Sequence, residues 1–303
     1  MNRREFLKVT SAAAALSAAG PMVLKGLAAT ASSKAEVVVA KNGSPAELVR
    51  TVVDGLGGMG KFVSKGDVVV VKPNMGWDRR PEQAANTNPE VVAEVVRLCY
   101  QAGAKEVRVF DRTCNRARRC YLRSGIQKAA KAAGAKVTYC HENKFKDVTI
   151  PEGEMLRSWP FYEDALEADV FINVPIAKHH AMAGLTIGLK NIMGVIGGDR
   201  GKIHNHFPVK LADLNLVLKP QLTIVDAYRI LVANGPQGGN LRDVRTPKIV
   251  LASVDRVAAD AYAATLFGKK GTDLPYLVEA HRRGFGEIDL AKVAVKEVDL
   301  SSA

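Results

Sequence analysis

Apolar residues in this chain follow two periods that take turns. Short β-branched or apolar runs recur at Val37 to Ala40, Asp67 to Val71, Glu106 to Phe110, Lys136 to Cys140, Asp169 to Val174, Leu222 to Val225, Lys248 to Ala252 and Lys292 to Val298. All read as strands, and the apolar β-branched run Asp67 to Val71, which lacks polar alternation, is typical of a strand covered on both faces. Between them lie segments with helical spacing. Pro45 to Leu56 is predicted to be a helix with Ser44 as N-cap and Pro45 at its first position, and Asn88 caps another that begins Pro89-Glu90 and stops before Gly103. Further helices are predicted over 121–133, 161–168, 208–218, 256–267 and 275–281, and residues 141–160 read as an irregular excursion or small hairpin. Strand and helix in repeated alternation predict an α/β fold with a mostly parallel, doubly wound sheet and helices on both faces.

Residues 1–31 stand outside that pattern. Asn2-Arg3-Arg4-Glu5-Phe6-Leu7-Lys8 resembles a twin-arginine export signal, followed by an Ala-rich stretch and the small-x-small end Ala29-Thr30-Ala31. The resemblance implies recognition by the twin-arginine export machinery, export of an already folded chain and cleavage after Ala31 into the periplasm, leaving 32–303 as a single α/β domain. The apolar part is broken by Gly20, Pro21 and Lys25, so no membrane span is expected.

The full chain has 303 residues and a formal net charge of +12, which favours anionic partners. Its basic residues are scattered and aromatics are sparse, so nucleic acid is not the expected partner. The four cysteines, Cys99, Cys114, Cys120 and Cys140, form no CxxC pair, which argues against an iron–sulfur cluster; a Cys114–Cys120 bridge stays open beside isolated thiols. Gly55-Leu56-Gly57-Gly58-Met59-Gly60 has dinucleotide-fingerprint spacing, but it ends a helix instead of opening one and reads as a helix stop.

The chemistry concentrates after the strand Asp169–Val174. From Lys178-His179-His180 through Gly188-Leu189-Lys190-Asn191 to His204-Asn205-His206, four of the chain's six histidines fall beyond the carboxyl end of one strand. Ligands of open α/β sheets bind there, and imidazole is both a metal ligand and a group that titrates near neutrality. His180 and Lys190 are the candidate catalytic residues, and His204 and His206 the candidate metal ligands. Lys72 and Asn74 leave the strand Asp67–Val71 at the same edge. With His179, Asn191, Asp226 and Gly235 they form the candidate ligand-binding set, and the loops 72–80, 111–120, 175–206 and 226–240 are expected to gather there.

These residues also carry a family resemblance. Lys72-Pro73-Asn74, Asn86-Thr87-Asn88-Pro89, Asn173-Val174-Pro175, Lys178-His179-His180, Gly188 to Gly194, His206, Gly235-Pro236 with Gly239, and Ser253-Val254-Asp255 resemble the family known as domain of unknown function 362, over about Val68 to Phe285. The spacing of His180, Lys190 and His206 is similar to that in lactate racemase and its relatives. That likeness implies an acid/base His180, a nickel pincer nucleotide attached to Lys190 and metal ligation by His206; the Rossmann-like fold is expected from the strand–helix alternation itself. The racemases' other catalytic histidine sits in a Thr-His-Arg loop, and the comparable stretch here is Cys114-Asn115-Arg116. Two function classes follow: a metal- or cofactor-dependent enzyme acting on a small polar or anionic molecule, and a periplasmic binding protein without turnover.

Overall fold

Val37 and Val39 pack into one hydrophobic core and Val38 and Ala40 into another. The same alternation runs through the central strands: Val70, Phe171, Val225 and Leu251 face the first core, and Val69, Val71, Ile172, Ile224 and Val250 the second. A sheet with two apolar faces needs cover on both, which is why apolar runs without alternation signalled it. The computed structural model describes residues 35–302; the export-signal reading of residues 1–31 lies outside them.

The strands are β1 (Glu36–Lys41), β2 (Val68–Pro73), β3 (Glu106–Val109), β4 (Lys136–Val137), β5 (Phe145–Thr149), β6 (Ser158–Tyr162), β7 (Val170–Val174), β8 (Ile176–His180), β9 (Gly184–Thr186), β10 (Leu222–Leu231), β11 (Val244–Arg245), β12 (Ile249–Ser253) and β13 (Ala294–Asp299). The main sheet runs β13-β1-β12-β10-β7-β2-β3-β4. β12 is antiparallel to both neighbours, whereas β13 and β1 pair in parallel and so do all strands from β10 to β4. The sheet is therefore mostly parallel, as predicted.

Helices α1 (Pro45–Gly55), α2 (Pro89–Gln101), α3 (Ala117–Arg123) and α4 (Ile126–Ala132) contribute to the second core. The first core takes α5 (Glu163–Leu166), α6 (Gly188–Asn191), α7 (Phe207–Val217), α8 (Arg256–Thr265) and α9 (Pro275–Arg282). The expected caps Ser44 and Asn88 are in place, and a third is added by Asp255. Ser44 and Glu47 form a reciprocal capping box on α1, Asn88 caps α2, and Asp255 accepts from Val257 and Ala258 at the head of α8.

The structure departs from the sequence reading at several elements. The predicted helix 121–133 is two helices, because Gly125 takes a left-handed φ of +75° between them. Residues 158–162, read partly as helix, pair with β5 as an antiparallel hairpin, and the strand predicted over 136–140 is reduced to Lys136–Val137. The loop predicted after Val174 instead folds at once into β8 and β9, and β8 adds to a β10 that runs to Leu231, six residues past its predicted end.

From β2 the chain winds outward through β3 and β4, then returns to the other side of β2 with β7 and continues to β10. The winding direction thus reverses between β2 and β7. In open α/β sheets such a switch point leaves a crevice beyond the carboxyl ends of the two strands.

Candidate functional site

Lys72, next to last in β2, and Asn173, next to last in β7, are register partners at this crevice. Asn191 sits above both. Its Oδ1 accepts from Lys72 Nζ at 3.0 Å and from Asn74 Nδ2 at 3.2 Å, and its Nδ2 donates to Asn173 Oδ1 at 2.8 Å. Asn173 Nδ2 in turn donates to the Gly188 carbonyl. This amide ladder fixes α6, and with it Lys190, over the switch point. Asp260 anchors α6 from the far side by accepting from the N–H groups of Gly188 and Leu189 at 2.7 and 2.9 Å. Burial raises the Asp260 carboxyl to about 7, against the lowering effect of those two hydrogen bonds.

Three buried lysines converge here. Lys72 is paired: its Nζ lies 2.8 Å from Asp111 Oδ1 and also donates to the Pro73 carbonyl. Asp111 reaches it from the end of β3, and Gly194 makes room, since a Cβ there would stand 1.8 Å from Asp111 Oδ1 and 2.4 Å from Lys72 Nζ. Lys178, on β8, has no carboxylate partner among the described residues. Its Nζ donates to Asn74 Oδ1 at 3.1 Å and to the Ala85 carbonyl, and it lies 5.8 Å from the centre of the Trp77 ring. Lys190 has still less: its Nζ meets Met193 Sδ at 3.5 Å and the Phe207 ring at 5.3 Å. Burial lowers Lys178 to about 7, with the Lys190 ammonium adding to the fall, and lowers Lys190 to about 8, with the Arg200 guanidinium adding to it.

His180 ends β8 beside them. Its Nδ1 accepts from the N–H groups of Met182 and Ala183, both at 3.2 Å, so the neutral ring carries its proton on Nε2. Burial, followed by the charges of Lys190 and Lys178, pushes its pKa down to about 3. His180 is therefore a neutral imidazole near pH 7, presenting an N–H. His204 stacks on it at 6.1 Å between centroids and on Phe207 at 5.5 Å.

The remaining candidates fall into two groups. His179 Nδ1 accepts from Gly235 N–H at 3.1 Å, and a Cβ at Gly235 would stand 1.9 Å from the His179 carbonyl oxygen, so this glycine permits the loop after β10 to press onto β8. Asp226 is buried and accepts from the N–H groups of Asn88 and Tyr228; it ties the head of α2 to the middle of β10. His206 is exposed at the N-cap of α7 with a φ of +55°, and no contact joins it to His180 or Lys190. His204, not His206, is the histidine brought to His180. Among the described residues no three His, Cys, Asp or Glu side chains gather to hold a metal ion. The donor set does not fit a metal held by side chains alone, and a pincer-type group ligated by His206 would need that ring to face the site.

Sequence reasoning passed over Lys178, Asp111, Cys114 and Arg200. Arg200 donates to the carbonyls of Arg112 and Thr113 at 2.7 and 2.8 Å, and the exposed Cys114 lies beside it. Lys178 stood in a noted motif, and Cys114 stood in a noted loop; neither has a periodicity that would mark its burial or its neighbours. Two concavities lie elsewhere: about 550 Å³ between Glu47, Arg50, Tyr228 and Lys248, and about 270 Å³ around Arg108, His141 and Lys144. Their charged groups are largely exposed or already paired, so the chemistry is assigned to the lysine crevice.

The family model described as Domain of unknown function (DUF362) matches residues 69–265, from β2 to the end of α8. The chain belongs to this family. The DUF362 match encloses every lysine and histidine of the crevice. Thylakoid-associated protein sll1697 of Synechocystis is 29% identical over 250 residues, covering 80% of this chain and 76% of its own. Among solved structures, the lactate racemase apoprotein of Thermoanaerobacterium thermosaccharolyticum aligns at 11% identity with a TM-score of 0.45, covering 77% of this chain and 57% of its own. A Thermotoga maritima protein from a structural genomics programme aligns at 12% identity and a TM-score of 0.43, over 75% of this chain and 60% of its own. The chain thus spans less than two thirds of either solved structure.

Proposed function

We propose that this DUF362 chain is an enzyme that moves protons on a small anionic molecule held between Lys178 and Lys190. The observation that carries this reading is a pair of buried lysines without a carboxylate partner among the described residues, at the switch point of a parallel sheet. A buried cation without a counter-charge is costly, and a bound anion supplies that charge. Amines titrating at about 7 and about 8 exist near neutral pH as both acid and base, the condition for efficient proton transfer. The neutral His180 would donate its Nε2–H to negative charge developing on the substrate, and a neutral imidazole suits that task because it need not lose a proton. Asn74 accepts from Lys178, and the Asn191 amide fixes the helix turn that carries Lys190.

Lys178→Met and Lys190→Met test the reading. Each should weaken binding of inorganic phosphate by about tenfold or more, by calorimetric titration, while the melting temperature without ligand stays level or rises. Phosphate affinity equal to wild type in both variants would sink the proposal. Phosphate binding without any solvent-deuterium exchange into small carboxylic acids would favour the carrier function instead.

The Arg3-Arg4 segment supports export of the folded chain and a periplasmic site of action. Replacing Arg3 and Arg4 by Lys should leave uncleaved precursor in the cytoplasm. Normal export of that double variant would remove the support.

A further inference from the structure

Cys114 shares the crevice and has no part in binding an anion. It sits on the loop after β3, and its N–H donates to the Gly76 carbonyl at 2.8 Å, which ties this loop to the one leaving β2. A Cβ built on Gly76 would stand 3.8 Å from Cys114 Sγ and 3.9 Å from Asn74 Oδ1, the oxygen that receives Lys178. Arg200 Nη2 lies 3.9 Å from the sulfur. After burial, the sulfur is the foremost electrostatic partner of both Lys178 and Lys190. Lys190 is an independent pointer to a ligand: it is 92% buried, and no oxygen accepts from its ammonium among the described residues. The other thiols are placed differently. Cys99 and Cys120 are buried, and Cys140 is partly buried behind the Lys72–Asp111 pair.

We infer that Cys114 is a nucleophile of this pocket, adding through sulfur to a carbonyl carbon carried by an anionic substrate. The inference rests on the anion reading for the charge of that substrate. The thiol proton passes to the amine of Lys190 or Lys178, and the sulfur electron pair forms the C–S bond. The carbonyl π electrons move onto oxygen, which takes the proton back from the same lysine. Nothing is oxidised or reduced, and no further reactant is needed. The cationic surround draws the anionic carbonyl compound to the sulfur, and the neighbouring amine takes the thiol proton as the bond forms.

The test uses the purified full chain and two alkylating probes, iodoacetate and iodoacetamide, in which sulfur displaces iodide. Rates at Cys114 are followed by intact mass and peptide mapping at neutral pH. The ratio of iodoacetate to iodoacetamide rates should exceed that of glutathione by about tenfold or more. It should fall to the glutathione value in Lys178→Met combined with Lys190→Met, and the label should vanish in Cys114→Ser. A wild-type ratio equal to that of glutathione overturns the nucleophile, and so does equal labelling of another cysteine in Cys114→Ser. Phosphate titration of Cys114→Ser separates the two proposals. Wild-type affinity there, with no alkylation preference in the wild type, removes the nucleophile and leaves the anion pocket standing. A strong preference with no phosphate binding supports the nucleophile and removes the phosphate-sized anion.

Discussion

Lys72, Lys178 and Lys190 meet at the head of one sheet, and what separates them is their company. Lys72 has Asp111 at 2.8 Å, a charge pairing more than an aligned hydrogen bond, and Asp111 also takes the Met75 N–H at 2.6 Å. Removing one partner of a buried pair leaves an uncompensated charge, so Asp111→Ala should cost about 3–5 kcal/mol of stability. The denaturant midpoint measures it, and a loss below about 1 kcal/mol would show that the pair is not held as described. Lys178 and Lys190 lack such a partner, which is why their removal is expected to spare stability and spoil binding. At this scale the sequence was half legible. His180, Lys190, Lys72, Asn74 and Asn191 were readable as candidates because they cluster after strands. Asp111 and Arg200 were not, because their value lies in distant approach: Asp111 reaches across to β2, and Arg200 to carbonyls 87 and 88 residues away.

The elements show where periodicity speaks and where it is silent. β1, β2, β7 and β12 lie within a residue or two of their predicted spans, because a strand between two cores is written in apolar residues. β8 reads Ile-Ala-Lys-His-His, and its Lys178 and His180 are as hidden as core residues, so hydropathy could not mark it as a strand. Its partner, the far half of β10, carries Tyr228 and Arg229 and was equally obscure. The two halves of the predicted helix 121–133 have one helical pattern between them, and the break is a backbone matter at Gly125. The hairpin of β5 and β6 was foreseen in outline, though Ser158–Tyr162 hid its strand by joining the helix α5 directly.

For the whole molecule, the lysine crevice should be visible in the pH dependence of unfolding. In the unfolded chain a lysine keeps its proton to about pH 10.4. In the folded chain Lys178 gives it up at about 7 and Lys190 at about 8. Between pH 7 and 8.5 the unfolded state binds more protons, so their contribution to the unfolding free energy rises with pH. Asp260 works in the other sense and in another window: its carboxyl, raised to about 7, makes the folded state the better proton binder above about 3.8, so its contribution falls as pH climbs toward 7. The melting temperature of the anion-free protein should therefore climb from pH 7 to 8.5, and saturating phosphate should flatten that climb by restoring the ammonium form. A flat or falling curve without anion would contradict the lysine assignments.

The order of the sheet has a consequence for the time course of synthesis. β1 lies between β12 and β13, and its register pairs Val38 with Ala252 on one side and with Lys296 on the other. Both partners come from the last sixth or so of the chain, more than 200 residues downstream. A nascent polypeptide emerging amino end first carries β1 as a strand with neither neighbour until translation is nearly finished. Closing such a distant pairing is slow compared with local structure. Lys72, Asp111, Lys178, Lys190 and Asn191 all precede β12, so the residues lining the crevice are made before either neighbour of β1, and only the Asp260 anchor of α6 follows β12.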